Sequence, residues 1–82
     1  MVDTGLADLA SGRISVESLL VSLAAPRLRR EGIRVPRAHE NAEERLYHLL
    51  EETEGELAHV RYSAYLRQMS SFADVCRNAR LE

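Results

Sequence analysis

Residues 58–79 read AHVRYSAYLRQMSSFADVCRNA. Ala58, Tyr62, Tyr65, Met69, Phe72, Cys76 and Ala79 recur there at alternating intervals of four and three, flanked by Leu66 and Ala73. Such an alternation places side chains on one face of an α-helix, because 3.6 residues complete a turn. Ser63, Arg67, Ser70, Asp74 and Arg77 form a polar stripe away from that seam. The segment predicts an amphipathic C-terminal helix of about six turns, with a seam that must be buried against something.

Working upstream, Thr53 and Glu56 fit a Ser/Thr-x-x-Glu capping box, and Gly55 weakens a continuous helix by about 1 kcal/mol relative to alanine. A break is therefore expected at 53–56. Before it, Ala42, Leu46, Leu49 and Leu50 make a buried side, with Glu43, Glu44, Glu51 and Glu52 toward water and Asn41 as the expected cap. Val35-Pro36 forces extended chain ahead of that helix.

An earlier helix has its start in Ser15, with Ser18 three residues on and Ile14 placed to staple onto Leu19. Val16, Leu19, Leu20, Leu23 and Ala24 give it an apolar face. Pro26 predicts a kink or a fresh short helix beginning there. Further on, Leu28, Gly32 and Ile33 have the spacing of a Schellman stop, in which a left-handed glycine ends the helix and the apolar residues on either side touch. A short first helix is expected over Asp3–Gly12, capped by Asp3 or Thr4, apolar at Leu6, Leu9 and Ala10, and stopped by Gly12. The resulting fold class is all-α: a single domain over residues 1–80, built as a small bundle of three to four helices with a long amphipathic C-terminal helix.

A chain of 82 residues buries a thin core, and small scaffolds usually add a disulfide, a metal, oligomerisation or very regular packing. Cys76 is the only cysteine, which excludes an intrachain disulfide. It reads as a small buried hydrophobe in the seam. The N-terminus lacks the pattern of a signal peptide and no apolar run approaches a membrane span, so a cytoplasmic location is expected. All eleven basic residues are arginine, a bias that GC-rich codon usage produces unaided. The closing Leu81-Glu82 pair reads as an expression-vector remnant.

Charge is uneven: −2 over residues 1–25, +4 over 26–39, −6 over 40–57 and +3 over 58–80. The basic block contains Arg27, Arg29, Arg30, Arg34 and Arg37, candidate contacts for an anionic partner. Arg29 and Arg30 also suit the negative end of a helix dipole. Glutamates open the next helix, where a phosphate backbone would repel them, so nucleic acid is the second choice. Arg34 and Arg37 are expected to pair with Glu40, Glu43 or Glu44. Glu44, His48, Glu51 and Glu52 share a helix but lack the spacing of di-iron or zinc-protease motifs, and read as a solvated acidic face. His59 would join His48 only on a continuous helix.

There is no Gly-rich phosphate loop and no recognisable Ser/His/acid set, so the chain is expected to be no enzyme, with no cofactor, metal or small-molecule substrate. The preferred reading is a protein-protein interaction or regulatory module, homodimeric through Tyr62, Tyr65, Met69, Phe72 and Cys76, since tyrosines favour interfaces with one wet edge. The alternative is a small nucleic-acid-associated regulator, antitoxin-like or transcription-associated, using the Arg27–Arg37 stretch.

Overall fold

The computed structural model of the chain describes residues 2–81; Glu82, and with it the remnant reading of the last pair, lies outside them. The described residues are all-helical: α1 (Val2–Ala10), α2 (Val16–Arg30), α3 (Ala42–Glu54) and α4 (Ala58–Leu81), with one 3₁₀ turn at Gly55–Leu57. Helix α1 packs on α2 alone, α3 packs on both α2 and α4, and α4 also touches α2.

The start of α2 is a reciprocal cap. Ser15 Oγ accepts the Ser18 N–H at 3.0 Å, and Ser18 Oγ accepts the Ser15 N–H at 2.8 Å. Such a cap is worth about 1 kcal/mol. Ser15 Oγ also donates to Asp8 Oδ2 at 2.8 Å, which fixes the entry of α2 against α1. Ile14 stays 56% exposed, so the staple expected between Ile14 and Leu19 contributes little and the polar bond to Asp8 sets the entry instead.

No fresh helix begins at Pro26: α2 runs unbroken from Val16 to Arg30, which removes one of the two outcomes expected there. Ala25 before the proline and Leu28 after it are both buried in the core. Burying a leucine contributes about 2 kcal/mol, comparable with the roughly 3 kcal/mol that a proline costs inside a helix. The stop at the far end has Schellman geometry: Gly32 N–H donates to Arg29 O at 3.1 Å and Ile33 N–H to Leu28 O at 3.0 Å. Gly32 has φ +85° and nothing near its absent side chain, so backbone conformation alone selects glycine there.

The chain then runs without regular structure over residues 33–39 to a turn at Glu40 and Asn41, held back onto α2. Ile33 and Val35 pack on the core, and Arg29 donates to the carbonyls of Val35 and Pro36 at 3.4 and 3.3 Å. Ser22 Oγ accepts the His39 N–H at 3.0 Å while donating to Ser18 O at 2.8 Å. These bonds satisfy the buried hydroxyl of Ser22, as the Ser15 cap satisfies that of Ser18, the other buried serine of α2.

Three other local expectations are corrected. Helix α1 begins at Val2, which places Asp3 inside its first turn rather than at the cap, and Ala10 is exposed. Asn41 precedes α3 in a left-handed conformation without a side-chain cap bond. Thr53 Oγ1 donates to Leu49 O at 2.9 Å within α3, so no Thr53–Glu56 box forms and Gly55 makes the break.

Gly5 is the one glycine closely packed on its neighbours. A Cβ there would lie 2.5 Å from Val21 Cγ2 and 2.6 Å from the Glu17 carbonyl oxygen. Helix propensity alone would make Gly5→Ala stabilising by about 1 kcal/mol, whereas overpacking costs about 1–3 kcal/mol. Chemical denaturation of Gly5→Ala should show a net loss of stability, and an equal or higher midpoint would contradict this close approach. Gly32→Ala should lose about 1–2 kcal/mol through backbone strain alone, leaving the helical circular-dichroism signal of the folded state in place.

Candidate functional site

A groove of about 370 Å³ opens between α2 and α4. From α2 it takes Leu20, Leu23, Ala24 and Arg27, one helical face at intervals of three, one and three. From α4 it takes Tyr62, Leu66, Met69, Ser70 and Ala73, and Glu43 comes from the first turn of α3. Leu20, Met69 and Ala73 are buried, while Leu23, Ala24 and Tyr62 are half-buried and Leu66 is 37% exposed. The groove is thus an apolar trough with a wet lip.

Its polar groups are fixed. Arg27 donates to Ser70 Oγ at 3.2 Å and forms an ion pair with Asp74. Ser70 and Asp74 stay exposed, as expected of the polar stripe of α4, and also bond to α2. Tyr62 packs edge-on against Tyr47, with ring centroids 5.5 Å apart. Burial raises the pKa of the Tyr62 phenol first, and the Glu43 carboxylate beside it raises it further by charge and by accepting its hydrogen bond.

The five residues suggested for self-association sit together on α4 but are largely used within the protomer. Met69 is 4% exposed. Tyr62, Tyr65 and Phe72 are half-buried against the core, and Cys76 is half-buried further along the helix.

The basic stretch is divided rather than gathered. Arg27 serves α4, and Arg29 serves the segment after α2. Arg30 adjoins Arg27, Glu31 and Arg77 around a second hollow. Arg34 and Arg37 are exposed, and among the described residues they form none of the ion pairs expected with Glu40, Glu43 or Glu44. Arg37 instead borders a hollow with His39, Glu40 and Arg45 beside the end of α1.

On the α3 side, His48 lies 3.6 Å from Glu51, with both side chains exposed. His59 lines the same surface hollow as Glu44 and His48, brought there by the chain reversal at Gly55–Leu57 rather than by a continuous helix. Among the described residues no group of three or more His, Cys, Asp or Glu is arranged to hold a metal ion.

The pairing of the Leu20/Leu23/Ala24 face with Leu66 is the feature that sequence periodicity does not reveal. Each face is visible in its own helix, but their alignment depends on the turns between them. Glu43 is exposed, as read from the sequence, and gains its neighbour Tyr62 through the packing of α3 on α4. Comparison of the chain with protein-family models, with curated proteins and with solved structures gives no match.

Removing the Glu43 charge should lower the pH at which Tyr62 ionises. The difference between phenolate titrations of the protein and of Tyr62→Phe isolates this group, and Glu43→Gln should move it down while burial keeps it above the ordinary value. Because folding raises this pKa, its stabilising contribution is complete below pH about 10 and is lost as pH climbs through the higher folded value. A Glu43→Gln titration unchanged from the parent would contradict the contact.

Proposed function

We propose that the chain is a cytoplasmic, non-catalytic protein-interaction module, a small helical bundle that self-associates. The observation that carries this reading is the α2/α4 groove. Its floor presents alkyl and thioether groups, and its lip exposes the α4 edge at Leu66 and Tyr62. An apolar trough between two helical faces suits the side of another amphipathic helix, which anchors residues at intervals of three and four.

The groove's polar residues also favour packing over bond-making chemistry. Arg27 is engaged by Ser70 and Asp74 at one end, and Glu43 faces Tyr62 at the other. Among the described residues no helix is long and apolar enough to cross a membrane. The nucleic-acid alternative keeps fewer free arginines than the sequence implied, since Arg27 and Arg29 have intramolecular roles, and its weight falls on exposed Arg34 and Arg37.

Measuring solution mass and identifying co-purifying protein on the same sample tests the proposal. A mass above that of one chain, with no nucleic acid bound, is expected. A monomer that binds duplex DNA, weakens steeply with salt and loses binding when Arg34 and Arg37 are both changed to glutamine would overturn it in favour of the alternative.

A further inference from the structure

The α2/α4 groove is charged unevenly at its two ends. At one, Arg27, neutralised in part by its pair with Asp74, stands beside Arg30, Arg77 and Glu31, three cations to two anions; Glu43 and Glu44 lie at the other. Glu43 faces Tyr62, and Arg27 is held by Ser70 and Asp74. Tyr62 and Ser70 are eight residues apart, which separates the ends by about 12 Å along α4. Leu66 stands midway, four residues from each, and is the 37%-exposed apolar residue on the lip.

This arrangement complements itself. A two-fold axis through Leu66 would bring the Tyr62 end of one groove over the Ser70 end of another, lay leucine on leucine, and set positive against negative at both ends. A parallel arrangement would instead oppose arginine to arginine. Isologous contacts require this kind of self-complementary patch, with an apolar centre and a charged rim that fixes register.

Resting on the self-association reading above, we propose that the occupant of the groove is a second copy of this chain. It docks antiparallel about a two-fold axis at Leu66, with Arg27 of each protomer meeting the partner's Glu43. The charge pattern beyond the groove has the same sense. Arg30 and Arg77 border the hollow next to Arg27, along with Glu31, and Glu44 lies beside Glu43 on α3.

Sedimentation equilibrium tests the docking on the full chain, Leu66→Glu, Arg27→Glu, Glu43→Arg and an equimolar mixture of the last two, with far-UV circular dichroism on each. The parent should be a dimer. Leu66→Glu should be a folded monomer, since its side chain already reaches water. Each charge reversal alone places like charges at both ends and should weaken the dimer by about tenfold or more, whereas the mixture pairs opposite charges at both ends and should recover it. Arg27→Glu also breaks the pair with Asp74; if it loses helix, the Leu66→Glu and Glu43→Arg arms decide alone. A monomeric parent would overturn this docking and the self-association reading together. A dimeric parent that tolerates Leu66→Glu, or is indifferent to Glu43→Arg, would overturn this docking and leave self-association standing.

Discussion

The burial of α2 is the constraint on which the rest of the fold depends. Leu19, Leu20 and Val21 are consecutive and all completely buried. Successive residues of a helix point about 100° apart, so these three sweep roughly 200° of its surface. One neighbouring helix cannot cover that arc. Helix α1 covers the Val21 side, close enough that Gly5 leaves no room for a methyl group, and α3 and α4 supply the remaining cover. The polar cost is met locally, since Ser18 and Ser22 find partners in the Ser15 cap, in Ser18 O and in the His39 N–H.

The groove follows the part of α2 where cover thins, from fully buried Leu20 to half-buried Leu23 and Ala24. Buried Met69 and Ala73 carry the apolar contact on the α4 side. Arg27 crosses to Ser70 and Asp74 as an exposed pair, of a kind worth about 1 kcal/mol or less. Leu66 stands on the lip of the same trough.

Much of this was legible in the sequence, for reasons that differ by element. Helix faces follow from local periodicity, and the Leu28–Gly32–Ile33 stop follows from the glycine's unique access to left-handed backbone. The break near Gly55 was legible, but not its mechanism: Thr53 returns its hydroxyl to Leu49 within α3 instead of capping the next helix. Pro26 carries a real local cost, and only burial of the turns on either side shows why no new helix starts there and α2 runs on. The close approach at Gly5, the pairing of Arg27 with Asp74, and the meeting of Glu43 with Tyr62 are contacts between helices. No spacing within one helix encodes them. The candidate site consists mostly of such contacts, so the sequence named Tyr62 and Met69 without showing the trough they share with α2.

The central claim is that the α2/α4 groove is the surface through which the chain meets its own kind. Methyl resonances followed by nuclear magnetic resonance as protein concentration is raised test it most directly. Signals of Leu20, Leu23, Leu66 and Met69 should shift together with concentration, while those of Val60 and Val75, exposed on α4 but outside the groove, stay fixed. Shifts centred on Val60 and Val75, or none at the groove, would contradict the account.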